Sequence, residues 1–314
     1  MITMSNKAKQ FLVLLLKVLV VAGAFYFIYD RLTSNAQLDW QKFRQLVWSK
    51  TSVWSMLLIL FLSFLNRFLE ILKWQNLVQV ITPISVKQAT EQVLGALTLA
   101  LFTPNGIGEY AGKALFFEKV KTKKIIFLNL ICNGIQLILT IFFGTLGLFY
   151  FNIQFNIISA KVVIALFGIT LLLFLFTFFF KKIKIKGYSI EKLIQKLNEL
   201  PKSVHQKNIL LGLLRYVTFS HQYYFLFLIF EVQIPYLLLM ATITSVYFLA
   251  SSLPTFQFLD FAVKGSVAVY FFGLLGINEW IVVFISTLMW FLNTVIPVVI
   301  GSYFVLNFKS KWKQ

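Results

Sequence analysis

Six stretches of this chain, residues 11–29, 53–72, 124–151, 161–180, 208–230 and 279–306, are each largely apolar over about 20 positions. A helix rising about 1.5 Å per residue needs that length to cross about 30 Å of hydrocarbon. In lipid, every backbone polar group must be satisfied within the segment, so an apolar run of this kind is a helix. Composition agrees: 59% of the side chains are hydrophobic and 13% charged, against roughly 45–50% apolar in an average soluble domain. The expected fold class is an all-α polytopic membrane protein. The first stretch follows Lys7 and Lys9 like a signal peptide but runs to Asp30, too long for an h-region, so it reads as an uncleaved helix.

The formal net charge of +18 is distributed beside the spans rather than over a soluble domain. Residues 6–17, 119–124, 181–207 and 309–313 hold most of the Lys and Arg, whereas 231–236 and 276–279 hold none. By the positive-inside rule the basic segments and both termini are cytoplasmic. Their partners are anionic lipid headgroups, worth about 1 kcal/mol per basic residue at the surface, and not nucleic acid. The linker 30–52, placed outside, carries Arg31, Lys42, Arg44 and Lys50 against that rule. Cys132 is the sole cysteine and the two histidines, His205 and His221, lack neighbouring ligands, so no disulfide, metal or cofactor is expected.

The order of elements repeats. A span, an amphipathic linker, a second span, a proline-broken pair (86–119) and a third span make up residues 1–153, and the same order recurs in 154–314 with the pair at 235–275. The arms of each pair are mostly about 12–17 residues, roughly 18–25 Å as helix, which is short of a crossing and favours re-entrant hairpins. An odd number of crossings in the first half inverts the second. The expectation is two inverted repeats of three spans and one re-entrant hairpin each, the plan of many secondary transporters.

The two breaks carry the same chemistry. In "TPNGIGEYAGK", Glu109 follows Pro104 by five residues and precedes Lys113 by four; in "LPTFQFLDFAVKG", Asp260 follows Pro254 by six and precedes Lys264 by four. Acid before base at i,i+4 is the favourable helical orientation, and such groups cost about 2.5–3.5 kcal/mol at the bilayer centre unless a polar cavity receives them. They serve either as self-neutralising pairs at helix starts or as a midplane site for an anionic headgroup. In the second case Lys113 and Lys264 contact phosphate, and the turn of Pro104, Asn105, Gly106 and Gly108 brings backbone close to it. A second charged set, Arg67, Glu70 and Lys73, lies in "FLNRFLEILKWQNL", and Arg215 and His221 lie in the matching span. Arg67, Glu70 and Arg215 are candidates for the cavity lining, Lys73 and Trp74 for interfacial anchors, and His221 for a proton carrier. The run "LLLFLFTFFFKK" reads as a lipid-facing helix end, Glu91 and Glu118 as solvated carboxylates.

The span order, "NRFLEILKW" and the P-x-G-x-G-E turn of "TPNGIGEYAGK" with its following lysine resemble the flippase-like membrane domain of lysylphosphatidylglycerol synthases over essentially the whole chain. The resemblance implies inverted repeats, re-entrant helices and movement of lipid between leaflets. By motif it points to Pro104, Gly108, Glu109, Lys113 and, more loosely, Arg67. The second break lacks the family's glycines. With the sequence ending at Gln314 there is no room for the aminoacyltransferase domain, so synthesis of the lysyl lipid is not expected.

The expected function is therefore translocation of an anionic phospholipid or polyprenyl-phosphate-linked lipid in a bacterial plasma membrane, without catalysis. An integral-membrane transferase on a lipid-linked donor is the alternative, with Glu109, Asp260 and Glu70 as its only candidates for a base. A non-transporting scaffold for lipid-biosynthesis proteins is the third, and it predicts a dry interface between the breaks.

Overall fold

The computed structural model describes residues 52–101, 106–157 and 188–308 continuously, with single positions elsewhere. Spans 11–29 and 161–180, the linker 30–52, Pro104, Asn105 and the phenylalanine-rich run lie outside the described residues, apart from those single positions. The described chain is helical: α1 Val53–Val78, α2 Val86–Leu101, α3 Gly108–Leu115, α4 Thr122–Phe155, α5 Ile190–Asn198, α6 Lys202–Ile229, α7 Tyr236–Ser252, α8 Asp260–Leu274, α9 Glu279–Trp290 and α10 Ile296–Leu306. One two-residue hairpin, β1 Lys184–Ile185 with β2 Tyr188–Ser189, precedes α5. Single 3₁₀ turns at Lys119–Lys121 and Gln257–Leu259 lead into α4 and α8.

Among the described residues, three helices are long and apolar enough to cross a membrane: Val53–Val78, Lys119–Phe155 and Glu279–Leu306. Helix α6 has the length, 28 residues, but Arg215, His221 and Gln222 dilute its hydropathy. The ends of the spans are set by local chemistry. Ser52 accepts from the N–H of Ser55 at 3.3 Å to open α1, and Asn278 accepts from Trp280 N–H at 2.9 Å to open α9. Asn156 turns left-handed at φ 48 to close α4, returning its N–H to Asn152 O. The arms of the broken pairs are 16 and 8 residues (α2, α3) and 17 and 15 residues (α7, α8). None reaches the roughly 30 Å of a bilayer core.

Packing exchanges partners between the halves. Helix α1 lies antiparallel to α6, as the pairs Ile59–Gln222, Glu70–Arg215 and Asn76–Val204 require. The first arm of each broken pair crosses the last span of the other half: α2 on α10, α7 on α4. Both crossings run over glycine. A Cβ on Gly301 would strike the Leu94 carbonyl and Thr98 Oγ1, and one on Gly147 would strike Thr244 Oγ1 and the Ala241 carbonyl. Lipid tails provide no hydrophobic drive between helices, so close backbone approach of this kind is what holds membrane helices together. Thr98 Oγ1 adds a cross-helix bond to Val298 O at 3.1 Å.

Two apolar cores result. One joins Trp74, Leu77, Val93, Phe117, Ile125 and Leu200; the larger joins Phe151, Phe227, Leu239, Phe272 and Ile285. Lys73 and Trp74 are both 0% exposed, which overturns their expected role as interfacial anchors: the face of α1 that bears them turns into the protein. Trp74 Nε1 donates to Gln92 Oε1 at 2.7 Å. Trp74→Phe keeps the ring but leaves that buried acceptor unpaired, an expected loss of about 1–3 kcal/mol, measured by thermal unfolding in detergent.

Candidate functional site

A cavity of about 390 Å³ opens among α1, α4, α6, α9 with the turn that follows it, and the two broken pairs. Arg67, Glu70, Glu109, Arg215, Asp260 and Lys264, six charged residues from both halves, all line it. The helices place them as the spacing anticipated. Arg67 and Glu70 are one turn apart on α1; Glu109 and Asp260 open α3 and α8, where a carboxylate complements the helix dipole.

Three ion pairs form at the cavity. Arg215 Nη1 sits 2.9 Å from Glu70 Oε2 and donates to Gln136 Oε1 at 3.1 Å. Lys113 Nζ donates to Glu109 Oε1 at 2.6 Å, and Lys264 pairs with Asp260. The two acid–base motifs differ in burial. Lys113 is 0% exposed, while the Lys264 side chain is 36% exposed. Lys113 stands behind Glu109, fixed by Asn129 Oδ1 at 2.8 Å and by the face of the Trp74 ring, 4.5 Å away. It does not line the cavity; it holds Glu109, which reaches the cavity and also accepts from Asn133 Nδ2 at 3.3 Å.

The two breaks meet. Gly106 turns with φ +68, which disfavours any side chain there, and a Cβ would sit 3.2 Å from Gln257 Oε1 at the second break. Gly108 gives its N–H to Thr103 Oγ1 at 2.7 Å, closing the turn. Pro254 is half-buried and not part of the lining. His221 also stands apart from the lining, bonded to Val217 O and Tyr236 OH at 2.9 Å each.

Asn293, absent from the sequence-level set, is the organising residue of the cavity's far wall. It lies in a π-turn, Phe291–Val295, a break often found at functional sites. Pro297 has no N–H, so the Asn293 carbonyl four residues back loses its helical donor. Arg67 Nη2 fills that vacancy at 2.5 Å, and Ser63 Oγ takes the neighbouring Leu292 carbonyl at 3.0 Å. The Asn293 side chain accepts from Asn66 at 2.6 Å and donates to Gln222 Oε1 at 3.0 Å. The legible signal was Asn293 four residues before Pro297 inside an apolar span. Pro297→Ala restores the missing N–H to compete with Arg67 for the carbonyl. The expected result is a loosened Arg67, read as faster dicarbonyl labelling of that side chain than in the wild type.

Arg67 makes no ion pair with any described residue, and its Nε has no hydrogen-bond partner; Arg215 Nε, Gln136 Nε2 and Gln257 Oε1 are likewise unused. These three donors and one acceptor are buried in the walls of the cavity. No group of three His, Cys, Asp or Glu side chains that could hold a metal occurs among the described residues.

Comparison with curated proteins and with solved structures returned no match. Residues 14–301 do match a family, described as the lysylphosphatidylglycerol synthase TM region, and the cavity lies wholly within them. The chain belongs to that family and is a multi-pass membrane protein of the lysylphosphatidylglycerol synthase TM region type.

Proposed function

We propose that the protein is a flippase-like lipid translocator. The headgroup of an anionic phospholipid or a polyprenyl-phosphate-linked lipid enters the cavity, while its chains stay in the bilayer, and the two halves rock to expose the site to each leaflet in turn. The observation that carries this reading is Arg67: in a cavity where every carboxylate has its own cation, Arg67 alone among the lining cations has none. An arginine that has no acid partner among the described residues and is oriented by a backbone carbonyl is suited to phosphate.

The reading includes two inverted repeats, residues 1–153 and 154–314, each with a re-entrant hairpin, in a bacterial plasma membrane with cytoplasmic termini. Support comes from the reciprocal packing of α2 on α10 and α7 on α4, and from arms too short to span. The acid–base motifs at matching places, and the approach of Gly106 to Gln257, fit breaks that meet near the midplane.

The test is reconstitution into vesicles with a fluorescent anionic phospholipid in both leaflets and a membrane-impermeant quencher outside. Wild-type protein should expose the inner-leaflet pool. Arg67→Ala should slow that exposure at least tenfold, since a charge-assisted bond to phosphate is worth roughly 1.5–3 kcal/mol. Equal rates for the variant and the wild type would rule out the Arg67 site.

A further inference from the structure

Among the described charges at and beside the cavity, cations outnumber acids. Glu70 is taken by Arg215, Glu109 by Lys113 and Asp260 by Lys264. Two cations remain, Arg67 and Lys73, both on α1 and six residues apart, about 9 Å along the axis. Lys73 is 0% exposed, makes no ion pair with a described residue, and its Nζ has no hydrogen-bond partner. It lies one turn beyond Glu70, close to Cys132 of α4.

An unpaired ammonium in such a place is costly. Sequence economy offers no explanation for it, because a methionine would fill the same volume without the charge. Among the described residues around it, no acid is left over to pair with it. The titratable and charged side chains that face this region are Glu70 on α1, Glu109 and Lys113 on α3, Cys132 on α4 and Arg215 on α6; Asp260 and Lys264 complete the cavity from α8. Each acid among them already has its cation.

We propose that the cavity takes a phosphate bearing two formal negative charges, as in a lipid phosphomonoester, in preference to a singly charged phosphodiester. This rests on the translocator reading and names the chemical class of its headgroup. Arg67 touches the phosphate through the part of its guanidinium that lines the cavity. Lys73, behind Glu70, does not touch it; its field supplies the second unit of positive charge, weakly screened because no water shell surrounds it. A phosphomonoester carries about −1.5 to −2 at pH 7, with its second ionisation near pH 6, and so supplies what the two cations lack. A phosphodiester leaves one cation uncompensated.

The experiment uses the whole protein in vesicles containing either fluorescent phosphatidic acid or fluorescent phosphatidylglycerol. At pH 8 the wild type should move phosphatidic acid at least tenfold faster. At pH 5, where the monoester has lost its second charge, the gap should close. Lys73→Met should reduce the pH 8 preference on the order of tenfold, and Lys73→Arg should retain it. Equal rates for the two lipids, or a preference unaffected by Lys73→Met, would overturn the inference while leaving translocation standing. If the wild type moves neither lipid, the translocator reading fails instead. The charge inference is then decided by equilibrium binding of short-chain phosphatidic acid and phosphatidylglycerol to the detergent-solubilised protein, where equal affinities overturn it and a tenfold preference for the monoester upholds it.

Discussion

Arg215→Met should destabilise the protein by about 3–5 kcal/mol, the cost of leaving one member of a buried ion pair without the other. The Glu70 side chain is 7% exposed and that of Arg215 18%, so little water is at hand to replace the lost guanidinium. Gln136 also loses a donor. Because α1 and α6 carry the two partners, the loss acts on the contact between the halves rather than within one helix. The check is thermal or denaturant unfolding in detergent micelles. Glu70→Leu combined with Arg215→Met should recover part of the stability, since it removes the orphaned carboxylate but also the acid nearest Arg67 and Lys73. A double variant as unstable as the single would mean that the pair is not what joins α1 to α6.

The second large effect is expected where helices cross over glycine. Gly147→Ala and Gly301→Ala each place a methyl against a backbone carbonyl, that of Ala241 and that of Leu94. A carbonyl cannot rotate away as a side chain would, so the helices must separate. The expected cost is about 1–3 kcal/mol for each. The crossings lie on opposite sides of the partner exchange, α7 on α4 and α2 on α10, so the two effects should add within about 0.5 kcal/mol. Gly134→Ala is the control. Nothing lies within 4 Å of a Cβ there, and alanine's better helix propensity should leave the protein as stable or slightly more so. Equal losses at Gly134, Gly147 and Gly301 would show that glycine flexibility, not close approach, is what the helices use.

The site was legible to different depths. Glu109–Lys113 and Asp260–Lys264 could be read because i,i+4 neighbours on a helix meet whatever surrounds them, and both pairs do form. Arg67, Glu70 and Arg215 stood out because charge is rare in apolar spans, and all three line the cavity. Lys73 and Trp74 misled for the same local reason. At a span end, a lysine beside a tryptophan ordinarily faces the headgroups, and only the packing of α1 against α2, α4 and α6 turns that end inward. Lys113 was recognised as a charged site residue but not as a support for Glu109, because burial depth depends on Trp74 and Asn129, 39 and 16 positions away. Asn293 was passed over because asparagine in a span is unremarkable until its carbonyl is seen to lack a donor.

By itself, then, the sequence determined that this chain is a helical membrane protein with two polar, proline-containing breaks that carry the same acid–base spacing. Those properties follow from hydropathy, chain length and the i,i+4 geometry of one helix, all of them local. The tertiary structure alone decided that six charged residues from distant segments share one cavity, that Glu70 belongs to Arg215, and that Arg67 and Lys73 have no acid of their own among the described residues. Ion pairing is a competition among all the groups brought within a few ångströms, and no local spacing can say which cations will be left over when the helices close.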